Sequence, residues 1–168
     1  MKALPRATDA QIDAVGEAFV SVSWPLGREE FEAFARRLGW QRKSETSSGV
    51  QHHSGYPVNL PTVRSLIADE AISQVTIAVS DKSDDPTALR ETAQELRSAL
   101  SRRLGQPSRS HAGDPHWELA NGGRIWLKTV PRKVLLVVED QRFADVERGE
   151  ERLGIDPGRT PRAGDDVG

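Results

Sequence analysis

The chain has 168 residues, 36% of them hydrophobic and 29% charged, a formal net charge of −2 and no cysteine. That length supports a single domain with its own core, and the missing cysteine removes disulfides, thiolate nucleophiles and cysteine zinc sites together. The longest apolar run, Val134 to Val138, is far short of the roughly 20 residues a membrane span needs, and MKALPRATDAQ lacks the apolar stretch of a signal peptide, so the expected location is the cytoplasm.

Thr8-Asp9-Ala10-Gln11 fits a capping box, and Ile12, Val15 and Phe19 follow as one helical stripe. Trp24-Pro25 ends that element. A second helix is expected from Gly27, with Glu29 and Glu30 at its positive end, Phe31, Phe34 and Leu38 as its buried stripe, and Gly39 just past its close. Trp40 should pack back onto that stripe. Residues 41–80 read as strands: QRKSET and GVQHHSG flank a turn at Ser47-Ser48-Gly49, and Gln74–Ser80 alternates with Val75, Ile77 and Val79 on one face. The stretch Tyr56–Asp69 is ambiguous, because Pro57 and Pro61 argue against a central strand.

Asp85-Pro86 opens the strongest helix, about 86–104, with Leu89, Ala93, Leu96, Leu100 and Leu104 down one side and Gly105 and Pro107 at its end. The run HWELANGGRIWLKTVPRKVLLVVED then reads as short strands with turns at Asn121-Gly122-Gly123 and Pro131-Arg132-Lys133. A short helix is expected over 141–153. Residues 1–153 form one domain in this reading, and 154–168, without apolar periodicity, a flexible tail.

Blocks of helices and strands with short connections predict an α+β fold: an antiparallel sheet of about five to six strands, the long helix on one face, and an N-terminal helix pair. The last strands are apolar on both faces: on the first Ile125 and Leu127 oppose Trp126, Lys128 and Val130, and on the next Leu135 and Val137 oppose Val134, Leu136 and Val138. One set should meet the long helix. The N-terminal helix pair is the expected cover for the other, with a partner chain as the alternative.

Signals for chemistry are sparse. His111, Asp114 and His116 share one loop region and could support a metal-dependent hydrolase, but the spacing lacks the helical HExxH pattern. His52 and His53 are neighbours on a strand, which sends their rings to opposite faces. No GxSxG elbow, phosphate-binding loop or GxGxxG occurs, so the expectation is no enzyme, no cofactor and no metal. Arginines between Arg97 and Arg109 favour nucleic acid, but a pI near 6.1 and few aromatic residues weigh against it. Charge is uneven along the chain. Residues 69–95 carry seven acids against two bases, and residues 97–133 eight bases against two acids, a polarity that can steer a charged partner.

The blocks SWPLGREEFEAFARRLGW, VTIAVSD, LGQPSR and HWELANGGRIWLKTVPRKVLLVVE resemble a family of small uncharacterised bacterial proteins known only as a domain of unknown function. More distantly, the order of elements is similar to the YbjN and type III secretion chaperone-like fold, found among immunity proteins of polymorphic toxin systems. The likeness covers about residues 10–145 and rests on Trp and Gly marks, so it carries over no active-site residue. Gly27 stands where relatives are expected to have Thr or Ser at the helix cap.

The resemblance implies a cytoplasmic protein that binds another polypeptide, most concretely an immunity protein that neutralises a cognate toxin by direct contact. A secretion or folding chaperone holding a client, working as a homodimer through the 124–138 hairpin, is the other form of that expectation. The residues expected to meet the partner are Trp117, Trp126, Lys128, Arg124, Asp84 and Asp85.

Overall fold

Most helices start where the sequence supplies a cap. In α1 (Asp9–Val20) the Thr8 hydroxyl accepts from the Gln11 amide at 3.2 Å while the Gln11 side chain accepts from the Thr8 amide at 2.9 Å. Asp85 accepts from the Thr87 amide ahead of α3 (Pro86–Leu104), and Asp140 from the Phe143 amide ahead of α4 (Gln141–Arg152). α2 (Arg28–Arg37) follows Gly27, which offers no side-chain cap; Glu29 and Glu30 in the first turn complement the dipole instead. These assignments come from a computed structural model describing residues 3–109 and 113–156, apart from the Arg109 side chain. Residues 157–168 of the expected tail lie outside that description.

The strands β1 (Gln41–Glu45), β2 (Gly49–His53), β3 (Thr62–Ala68), β4 (Ala71–Ala78), β5 (Ser108–Arg109), β6 (Pro115–Glu118), β7 (Arg124–Val130) and β8 (Lys133–Glu139) form one antiparallel sheet. Its order is β1-β2-β3-β4-β8-β7-β6-β5. The fold is the expected α+β class, with more strands than expected. One addition is β3, which the prolines had obscured: Pro57 and Pro61 both precede its first residue, so neither removes a ladder donor. Another is the two-residue β5. The β7–β8 hairpin sits inside the sheet, flanked by β6 and β4, so neither of its strands has a free edge.

Helices α1, α2 and α3 share one face. Ile12, Val15 and Phe19 of α1, Phe31 and Phe34 of α2, and Leu89, Leu96 and Leu100 of α3 join Val75, Ile77, Ile125, Leu127, Leu136 and Val138 in a single buried cluster. Trp40 closes it, 2% exposed and 6.2 Å from the Phe34 ring. Arg102 and Arg103 at the end of α3 bond Asp9 and Asp13 of α1 at 2.8 Å. The N-terminal pair therefore does not cover the second face, contrary to expectation. Its aromatic stripes require an apolar surface, and the second face is not one. There Gln74, Thr76, Arg124, Lys128, Lys133 and Glu139 are all buried among Ala78, Trp126, Leu135 and Val137. The element packed on that side is α4, which contacts β4 and β8 and turns Ala144 and Glu147 inward.

Candidate functional site

On the second face the strand register aligns a polar row. Gln74 of β4 stands opposite Glu139 of β8, which stands opposite Arg124 of β7, which stands opposite Glu118 of β6. The next row is Thr76, Val137, Trp126 and His116, and the one beyond it holds Ala78, Leu135 and Lys128. Alternation along β7 thus puts cation, indole and cation on one side. The Lys128 ammonium lies 5.4 Å and the Arg124 guanidinium 5.9 Å from the Trp126 ring centre, within cation–π range. The His116 ring packs on the same indole at 4.5 Å.

α4 adds the carboxylates. Arg124 donates to Glu147 at 3.1 Å, to Glu151 at 2.8 Å and to Glu118. Arg148 donates to the other Glu118 oxygen at 2.6 Å. The Trp126 indole N–H is shared between Glu139 at 3.2 Å and Glu147 at 3.1 Å. Partial burial works against the Glu118 charge, but hydrogen bonds from His116, Arg148 and Arg124 outweigh it and hold this carboxyl well below the ordinary range. Glu139 goes the other way. Burial first, then the hydrogen bond and charge of Glu147, push its carboxyl well above the ordinary value, and Lys128 and Arg124 offset only part of that. Arg124 keeps its proton, because Glu151 and Glu118 more than compensate for its burial. Among the described residues both amide atoms of Gln74, Nδ1 of His116, Nε of Arg124 and Oε2 of Glu139 are buried without a hydrogen-bond partner. The network is a fixed electrostatic cradle with unused donors and acceptors.

A second feature is open to solvent. A groove of about 750 Å³ lies between the first turns of α3 and the β7–β8 turn. Leu89, Ala93, Leu127 and Val130 supply apolar lining; Arg90, Arg97, Arg132, Asp84 and Asp114 supply the charges. Asp84 is exposed and pairs with Arg132 at 2.9 Å, while Arg132 holds φ +78° in the hairpin turn.

Of the six residues expected to meet a partner, Arg124, Trp126 and Lys128 come together on the second face, each under 5% exposed. Trp117 is 2% exposed on the helix-covered face and donates its indole N–H to the Gly105 carbonyl at 2.9 Å. Asp84 lines the groove, and Asp85 is spent as the α3 cap. His116 faces Glu118 at 3.4 Å and Asp114 accepts from the Thr129 amide at 3.3 Å. His111 lies outside the described residues. Among the described residues no three His, Asp or Glu side chains are placed to hold one metal ion. His52 is buried against Glu32 at 3.2 Å and the edge of Phe31, whereas His53 faces the other way and accepts from the Gly55 amide.

Sequence reasoning missed the α4 contribution, Glu147 and Glu151, and the inward turn of Glu139. A usable signal was present. Ala144, Glu147 and Glu151 lie three and four apart, which places them on one helix face. No helix among the described residues is long and apolar enough to cross a membrane. No curated protein and no solved structure matches the chain. Residues 10–140 match the family described as "Family of unknown function (DUF6301)". With that span covering most of its length and every strand of its sheet, the chain belongs to this family.

Proposed function

We propose that the protein acts by holding another polypeptide, and that its contact centres on the groove between α3 and the β7–β8 turn. The observation that carries this reading is the groove's composition: an apolar lining of Leu89, Ala93, Leu127 and Val130 set among Arg90, Arg97, Arg132 and Asp84. Apolar anchor positions ringed by polar side chains are how partner surfaces are built, with the ring deciding encounter rate and register. In its most concrete form the partner is a bacterial toxin and the protein is its immunity factor, the form that the sequence resemblance led us to expect.

The test is affinity purification of the tagged full-length protein from its host, beside an Arg90→Glu/Arg132→Glu variant whose melting temperature is checked. One stoichiometric partner with a toxin-like domain, lost with the charge-reversed variant, is the expected result. Recovery of the wild type alone, or equal capture by both proteins, overturns the reading. A stable homodimer holding a secreted client identifies the chaperone form instead.

A further inference from the structure

We propose that the sheet face beneath α4 is a second polypeptide-binding surface, which α4 occupies in the isolated chain, and whose partner is an acidic amphipathic helix bearing two carboxylates four residues apart. The surface is separate from the groove, so each can fail alone.

α4 is attached differently from the other helices. α3 turns Leu89, Leu96, Ala99 and Leu100 inward, whereas α4 fully buries only Ala144 and Glu147. Of its apolar side chains Ala144 is buried and Phe143 half-buried, but Val146 is 60% exposed and Leu153, at the C-cap, 79%. What holds it is a row of charges, with Glu147 and Glu151 on Arg124, Arg148 on Glu118, and Arg142 on Asp69. The outer pairs, Arg148 with Glu118 and Arg142 with Asp69, are partly exposed and break and re-form more readily than apolar packing, which places the helix at a lower local stability than α3.

The surface under it belongs to the central sheet. Gln74, Glu118, Arg124, Trp126 and Glu139 all lie within residues 10–140, the span shared with the family, and α4 begins one residue past that span. Arg124 fixes the chemistry. It is 1% exposed, its charge is held on a rigid central strand, and one of its nitrogens reads Glu147 and Glu151, two carboxylates at i and i+4. A helix with that spacing meets the same cation in the same way. Gln74, both of whose amide atoms are buried and unpartnered among the described residues, offers further hydrogen bonds to a replacement helix.

The probe is a fluorescein-labelled synthetic peptide of residues 139–156, titrated by anisotropy against full-length protein. Binding should be weak to the wild type, where α4 competes. It should tighten by about tenfold or more in an Arg142→Ala/Arg148→Ala variant, in which α4 is loosened and Arg124 untouched. A peptide carrying Glu147→Lys and Glu151→Lys should not bind. Equal affinity for both proteins, or affinity indifferent to those two carboxylates, overturns the proposal. Hydrogen exchange on the wild type gives a reading independent of whether the double variant folds. The α4 amides should exchange about a hundredfold faster than those of β8, and equal rates would defeat the idea. The groove variant Arg90→Glu/Arg132→Glu should bind the peptide as the wild type does, which keeps this outcome apart from that of the groove.

Discussion

On one face of the sheet, Ile125, Leu127, Leu136 and Val138 meet Phe19, Phe34 and Leu96 with scarcely a polar atom between them. On the other face of the same strands, Arg124, Lys128 and Glu139 are buried as deeply, and a helix of mostly charged residues lies over them. The first surface is stabilised in proportion to the area it removes from water and is indifferent to pH. The second is stabilised only as long as each charge keeps its partner, because burying an ion costs more than most single attractions return. The helix-covered side therefore makes the fold stable, and the α4 side makes it conditional.

The contrast is sharpest at Arg124. Its replacement by Ala takes the guanidinium away from buried Glu147, which stands beside Glu139, and unfolding in urea should show a loss of about 3–5 kcal/mol. An Arg124→Met/Glu147→Met double variant removes charge from both sides and should recover most of that loss. If the double variant is as unstable as the single one, the charges do more than balance each other. On the opposite face Leu96→Ala should cost about 2–5 kcal/mol through the cavity left under α3. That loss should be equal at low and high salt, which the Arg124 loss should not be.

Glu139→Gln tests the conditional side by pH. Because burial and Glu147 hold this carboxyl above its ordinary value, the folded chain binds the proton more tightly than the unfolded one. Its contribution is complete below the unfolded value of about 4.3 and is lost as pH rises through the folded value. The Gln variant lacks that loss, so its melting temperature should rise relative to wild type as pH is raised above the unfolded value. Glu118, held low, acts in the opposite sense and loses its contribution only in acid. The smallest effect belongs to Arg102→Ala, under about 1 kcal/mol and weakened by salt, because its pair with Asp9 is exposed on both sides.

Much of this architecture is legible in the sequence, and the reason is local. Thr8 with Gln11, and Asp85 with Pro86, mark helix starts through bonds to atoms two or three residues away. Phe34, Trp40, Leu96 and Leu135 are each at most 3% exposed, as periodicity alone predicts. The two-residue period of a strand likewise puts Arg124, Trp126 and Lys128 on one face. Periodicity does not say which helix covers which face, because an amphipathic stripe fits any apolar surface. Nor does it say that Glu139 and Glu147 turn inward, since a carboxylate on a short helix is solvated by default. Part of the basic stretch 97–133 is neutralised in space, mostly from outside the acidic stretch 69–95: Arg102 and Arg103 meet Asp9 and Asp13, and Arg132 meets Asp84. The part of the cradle that rests on pairings across the whole chain is the part a single sequence leaves unread.

The position of β8 between β4 and β7 has a consequence for synthesis. β4 ends at Ala78 and its neighbour begins at Lys133, more than fifty positions later. On a ribosome adding about 5–20 residues per second, one edge of β4 stays open for on the order of several seconds, with Val75 and Ile77 beside it. α1 waits as well, since the Phe19 carbonyl in its last turn and the Val22 carbonyl just beyond it accept from the Asn121 side chain. The turn that brings them together leaves no room for a larger residue: a Cβ on Gly123 would meet the Trp24 indole nitrogen at 2.7 Å. A chain interrupted before residue 133 therefore carries three apolar helices and an unsatisfied strand edge, the combination most prone to pair with its own copies. The last hairpin is the step that turns an adhesive nascent chain into a self-contained one.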